Sequence, residues 1–363
     1  MHGKPYMWEA DNEPHAYRLE ASEVERLRDA TRAVHEIALA VAERAAGDEE
    51  ALDILAIPSD YRDLVAESWR RGDAGLYQRM DLVPGLDGEL KLLEYNADTP
   101  TGLVEMHCYL VWLEDAVALD LLPAGAEQFN DVRCALTERL DAVAIEGILH
   151  VSAARGLTEE IDTVRLIAEC AEDVGVATRF AYLDEIGIDA ADNLADGEDY
   201  VIENLFKLFP WEDIAAGPFS APVRRNRTCR WFEPAWKMMW SNKAFLVLAW
   251  RLFPGHPNLL PAYFEDDAQA GSLERYVRKP QWGREGQNTT VVDRGEVLEG
   301  NRGEYADNRM VIQAYAPPAS YGGRHPVLGS WVVGEEPVGL LIREDAARIT
   351  ANLSVCAPHF HLA

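Results

Sequence analysis

A chain of 363 residues is too long for one small core and implies two or three packed units. It holds no run of about 18 apolar residues, and Met1–Trp8 has no apolar signal region, so neither a membrane span nor a secretory leader is expected. A net charge of −28 argues against nucleic-acid binding through phosphate contacts, and five scattered cysteines without a CxxC pair argue against a zinc site or a disulfide framework and for a reducing cytoplasm.

The elements fall into three predicted units: residues 1–126, 127–232 and 233–363. Ser22 to Ala46 carries apolar residues at helical spacing and opens with Ser22-x-x-Glu25, a capping-box pattern. Tyr61 to Arg71 reads as a short helix. Two strands then flank a tight turn at Leu86-Asp-Gly88, and after Pro100 and Gly102 the segment Leu103 to Leu121 is apolar enough for a buried helix. In the second unit, a helix over Phe129 to Val143 precedes strands at 147–152, 176–182 and 200–204, with a helix from Thr158 to about Val174. Strand, helix, strand at this spacing implies a βαβ unit with a parallel sheet. No GxGxxG follows the first strand, so a dinucleotide fingerprint is absent. In the third unit, Lys237 to Leu252 reads as a helix, Tyr276–Lys279 and Met310–Tyr315 as strands, and 330–333 with 338–343 as a closing hairpin. The fold class is therefore mixed α/β.

Two segments carry chemistry. The first is the early hairpin, where Arg79, Asp81, Glu94 and Asn96 surround one turn. Residues two apart on a strand share a face, so the hairpin brings Asp81, Glu94 and Asn96 together as hard oxygen ligands suited to Mg²⁺ shared with substrate phosphates. Arg79 shares the face and can hold a carboxylate or phosphate with its planar fork. The second is Lys279 to Asn288, where a strand delivers a lysine into a loop containing Gly283 and Gly286. Glycines let backbone N–H groups approach phosphate oxygens closely, although the loop is not a GxxxxGK[ST] P-loop. The chain uses 28 Arg and only 6 Lys, and four of the six are Lys207, Lys237, Lys243 and Lys279. Where Arg is the default cation, a retained Lys points to a site that needs a compact charge. Lys243 alone reads as a helix-surface lysine, though it can reach a phosphate, and Gln313-Ala314-Tyr315 alone reads as the end of a buried core strand, though free backbone groups there can read an adenine edge. His107 and His150 read as core residues with a satisfied nitrogen, and His359-Phe-His361 as a tail pair with no carboxylate beside it. No nucleophile elbow appears.

These segments occur in the order RMD (Arg79–Asp81), LLEYNADTPTG (Leu92–Gly102), WKMMWSNKA (Trp236–Ala244), FPGHPNLLPAYFE (Phe253–Glu265), YVRKPQWGREGQN (Tyr276–Asn288) and VIQAY (Val311–Tyr315). Together they resemble the synthetase domain of the glutathionylspermidine synthase family from about residue 15 to 355. The resemblance implies a circularly permuted ATP-grasp fold with a preATP-grasp-like βαβ unit, because the RxD…ExN element precedes the lysine motifs. It implies ATP and Mg²⁺ as cofactors. Asp81, Glu94 and Asn96 match the metal ligands, and Arg79 the arginine that steadies an acyl phosphate. Lys243 and Lys279 match the nucleotide lysines; Gly283, Gly286, Gln287 and Asn288 belong to the lid; Gln313, Ala314 and Tyr315 form the adenine-side linker. Lys207 and Lys237 receive no role. The implied activity is ATP-dependent joining of a carboxylate, such as that of glutathione, another peptide or an amino acid, to an amine such as a polyamine. The alternatives that stay open are a non-catalytic nucleotide- or polyamine-binding protein and an ATP-grasp phosphotransferase. The bifunctional members carry an N-terminal amidase that this chain starts too late to hold, so no amide hydrolysis is expected.

Overall fold

The computed structural model describes residues 15–85, 88–351 and 354–362. Leu86 and Asp87 of the predicted turn, and the first eight residues, lie outside the described residues. Among the described residues no helix is long and apolar enough to cross a membrane.

The sheet that matters most is five-stranded and antiparallel, in the order 355–357, 336–345, 325–333, 77–84, 90–96. The predicted closing hairpin is real but longer, Val333 and Glu336 flanking its turn, and it pairs directly with the early hairpin: Asp81 lies opposite Gly329 and Arg79 opposite Trp331. The early hairpin keeps the expected alternation. Met80 and Tyr95 pair on the buried face, while Arg79 with Asn96 and Asp81 with Glu94 pair on the other. A bulge between Asp81 and Leu82 ends the regular register just past the charged pair.

A second antiparallel sheet, in the order 262–264, 310–314, 275–280, 290–293, 296–300, carries Lys279 and Gln313 on adjacent strands. The third sheet is parallel, in the order 230–232, 204–207, 148–153, 177–182, with the helix Thr158–Asp173 crossing between its last two strands. This is the predicted βαβ unit.

Several boundaries moved. The third parallel strand is Asn204–Lys207, not 200–204, because Tyr200 and Val201 are half exposed and Val201 bridges to Ala195. The first helix is Ala21–Ala45, and its capping box is made by Glu20 and Glu23 rather than Ser22 and Glu25, with the Glu20 N–H donating to Glu23 Oε2 at 2.8 Å. The helix Leu103–Ala118 lies half on the surface, and Leu119 and Leu121 beyond it are exposed. The helix expected from Phe129 starts at Val132. The helix expected over Lys237 to Leu252 is broken into a 3₁₀ turn, Ala235–Met239, and a helix, Ala244–Leu252. Asn242 makes the break: its Nδ2 donates to Leu55 O at 2.7 Å, and its Oδ1 accepts from the Ala244 N–H at 2.9 Å.

Two buried clusters fill the interior. One packs the N-terminal helices, Met80 and Tyr95 of the early hairpin, and Trp236, Trp240 and Phe245. The other joins the βαβ unit to Tyr77, Trp331 and Leu341. The histidines in these interiors are neutral. His35 Nδ1 meets the Tyr95 hydroxyl at 3.0 Å, and His359 accepts from the Phe129 N–H at 3.1 Å. Burial depresses them to about 4 and about 3. The unfolded chain therefore takes up these protons first on acidification. Their contribution to stability is complete above about pH 6.5 and is lost as pH falls through 4 and then 3, at up to about 1.4 kcal/mol per pH unit for each histidine. Thermal melts between pH 7 and 4 should show this slope, and His35→Gln should flatten its own share. His150 is buried facing Asp196 at 3.5 Å, but neither ring nitrogen is hydrogen-bonded, which corrects the expected satisfied nitrogen.

Candidate active site

The two sheets and the βαβ unit face each other across one cleft of about 710 Å³. The early and late motifs meet in it. Arg79, Asp81, Glu94 and Asn96 line one wall with Lys243, Lys279, Gln313 and Tyr315, while Gly283, Gly286 and Gln287 lie in a loop along its edge. Ala314 and Asn288 do not line it; Asn288 instead braces the loop by accepting the Tyr305 N–H at 2.8 Å.

The polar wall is tightly wired. Glu94 Oε1 meets Lys243 Nζ at 2.8 Å, and the same ammonium donates to Gly283 O at 2.5 Å. Lys279 Nζ donates to Leu93 O and to Gln313 Oε1, both at 2.7 Å. Burial outweighs the nearby Glu94 and pulls Lys279 down to about 7. Asp81 receives Arg79 Nε at 2.9 Å on one oxygen and Arg343 at 2.6 Å on the other. Burial would raise this carboxyl, but the two guanidiniums hold it below the usual carboxylate range. Arg79, also buried, donates to Thr101 O at 2.5 Å.

Arg343 is the residue the sequence did not single out. It comes from the closing hairpin, 262 residues after Asp81, and nothing local distinguishes it from the other arginines. The backbone groups expected to be free at 313–315 are not free on the donor side: the Ala314 N–H donates to Pro261 O and the Tyr315 N–H to Arg275 O. The four clustered lysines also divide. Lys243 and Lys279 face the cleft. Lys207 is buried against Asp98 at 2.6 Å, and Lys237 against Glu233 at 2.5 Å.

Five further carboxylates, Glu105, Glu159, Glu160, Glu212 and Asp213, line the same cleft. Arg284 of the glycine-bearing loop pairs with Glu212 and approaches Asp213 at 3.7 Å. Gly286 sits at φ +68°, and a side chain there would come within 2.6 Å of Thr350 O, so the loop packs down on the C-terminal segment only because this position has none.

The cleft thus gathers both cations and carboxylates, on a mixed α/β scaffold of separate sheets. The sequence profile described as glutathionylspermidine synthase preATP-grasp matches residues 1–361, and the chain belongs to that family. It is 33% identical over 360 residues to a Haemophilus influenzae protein named "Putative acid--amine ligase", covering 95% of this chain and 89% of that one. It is 26% identical over 343 residues to the trypanothione synthetase of Crithidia fasciculata, and 26% over 373 residues to the bifunctional glutathionylspermidine synthetase/amidase of Escherichia coli. It spans only 52% and 59% of those two proteins. A glutathione synthetase-like effector of Globodera pallida superposes with a TM-score of 0.56 at 12% identity, covering 96% of this chain and 89% of that one, which shows a shared fold. The fold is thus a circularly permuted ATP-grasp, in which the early hairpin completes a sheet built from the end of the chain. Membership makes the chain an ATP-using ligase.

Proposed function

We propose that the chain is a carboxylate–amine ligase that forms an amide through an acyl phosphate, joining a peptide or amino-acid carboxylate to an amine of the polyamine kind. The observation that carries this reading is the mix of charges lining one cleft. Arg79, Arg343 and Lys243 outnumber the carboxylates they meet, Asp81 and Glu94, and Lys279 adds to them when protonated, so this part of the cleft favours a triphosphate. The further carboxylates that line the same cleft favour a cationic amine.

Arg79 and Arg343 would orient the carboxylate and offset charge developing on the transferred phosphoryl group, and Lys243 and Lys279 would hold the nucleotide phosphates. Such catalysis is mainly positioning and electrostatics. No group of three or more His, Cys, Asp or Glu is placed to hold a metal among the described residues. Asp81, Glu94 and Asn96 nevertheless share one cleft-facing side, and their oxygens suit Mg²⁺, which is commonly held by one or two carboxylates plus substrate phosphates. Bound there, Mg²⁺ would add positive charge beside the phosphates. Water destroys acyl phosphates, so the loop at 283–288 would have to exclude it.

The test is phosphate release from Mg·ATP over a grid of thiol peptides, amino acids and polyamines, with mass analysis of each hit. A product with the summed mass of acid and amine less water is expected. Phosphoryl product without an amide would make the chain a phosphotransferase, and nucleotide binding without turnover on any pair would make it a binding protein.

A further inference from the structure

Four acidic groups in the cleft are held by cations or amides of well-packed elements. Asp81 is held by Arg79 and Arg343, Glu94 by Lys243, and Asp98 by Lys207. Glu160, in the first turn of the helix Thr158–Asp173, accepts the N–H of Ala154, just before that helix, at 3.4 Å. Glu212 differs. Its ion-pair partner, Arg284, lies 72 residues away in the glycine-bearing loop. Its own backbone is fixed, because Asp98 accepts the neighbouring Trp211 N–H at 2.8 Å and the buried Trp211 indole donates to Glu233 O at 3.0 Å. A rigidly mounted carboxylate therefore faces the cleft with a counter-ion that moves whenever that loop moves.

The groups facing Glu212 are Arg284 from the loop, Asp213 beside it, and Asp98 with its partner Lys207 from beneath. Arg284 also acts on Glu160 in the same cleft. Burial raises the Glu212 carboxyl to about 7; Arg284 opposes the rise, and Asp98 and Asp213 add to it. A proton acceptor works best when it titrates near the working pH.

An alkylamine reaches the cleft as an ammonium ion, which has no lone pair for attack. Resting on the ligase reading above, we infer that Glu212 is the catalytic base that takes the proton from the attacking amine, with Arg284 covering it until the loop shifts. The ammonium N–H gives its proton to the Glu212 carboxylate. The freed nitrogen bonds to the acyl carbon, the carbon–oxygen bond to phosphate breaks, and the second nitrogen proton leaves with the phosphate.

The experiment compares two nucleophiles in the full chain with Mg·ATP and glutathione as the acid: spermidine, which needs deprotonation, and hydroxylamine, which is already neutral at pH 7. Glu212→Gln should lower kcat with spermidine by about 10²-fold or more with the spermidine KM little changed, while hydroxamate formation stays within about threefold; a loss confined to the spermidine KM would make Glu212 an ammonium-binding group and overturn its role as base. Glu212→Asp should fall between the two. The wild-type rate with spermidine should decline below about pH 7, and the rate with hydroxylamine should lack that limb. Hydroxamate formation also reports that the variant is folded. Equal loss with both nucleophiles would make Glu212 a structural clasp for the loop and overturn its role as base. A wild-type protein that makes no hydroxamate while a control ligase does would fail the ligase reading with this acid, and the base with it.

Discussion

Lys279→Met should abolish ligation while leaving the protein folded. The ammonium sits inside the cleft wall on Leu93 O and Gln313 Oε1. Removing one preorganised electrostatic group of this kind typically costs about 10²–10³ in rate. Stability should change little, by about 1–2 kcal/mol, because two effects oppose. The methionine strands two acceptors, each costing about 1–3 kcal/mol. It also removes a charge that the fold disfavours, since burial has pulled this lysine to about 7. Between pH 7 and the ordinary lysine range near 10.5 the unfolded chain keeps this proton and the folded one has shed it, so the lysine makes the wild type more stable as pH rises through that window. Melts of Lys279→Met should lack that slope. Steady-state assays that found turnover within threefold of wild type would remove the lysine from the reaction path.

The early hairpin was legible because strand periodicity is strict. Four polar residues spaced two apart on each arm must share a face, and Asp81 opposite Glu94 follows from the turn between them. What lies across that face was not legible. Arg343 reaches Asp81 through sheet pairing with a strand 262 residues away, and no local pattern reports such a pairing. The same holds for Arg284 and Glu212, although Arg284 stood inside a loop already singled out. Boundaries slipped where tertiary contacts overrode propensity. The run from Lys237 to Leu252 is apolar enough for one helix, yet Asn242 spends its side chain on Leu55 and on capping the next segment. The scarcity of lysine was informative but not specific. It marked positions needing a compact ammonium, and a buried ion pair needs one as much as a phosphate does.

Lys237 is the clearest case of that second need, and Lys237→Ala should be among the most destabilising substitutions in the chain. Its ammonium lies 2.5 Å from Glu233, donates to Tyr77 O at 2.7 Å and to Gln78 Oε1 at 3.0 Å, and is as buried as its partner. Glu233 also accepts the N–H groups of Leu76 and Tyr77, so the pair fastens the start of the early hairpin to the turn at 235–239. Burial pushes the Glu233 carboxyl up and the Lys237 ammonium down, which means each charge survives largely through the other. Truncating one partner leaves an uncompensated buried charge, at a cost of about 3–5 kcal/mol. Replacing both, as in Glu233→Gln with Lys237→Met, should recover much of that loss, because the two groups then desolvate without charge. Chemical denaturation of the two single variants and the double variant gives the coupling directly. A Lys237→Ala protein within about 1 kcal/mol of wild type would show that the pair does not anchor the hairpin. A folded single variant that lost ligation without losing stability would instead place Lys237 among the lysines that serve the cleft.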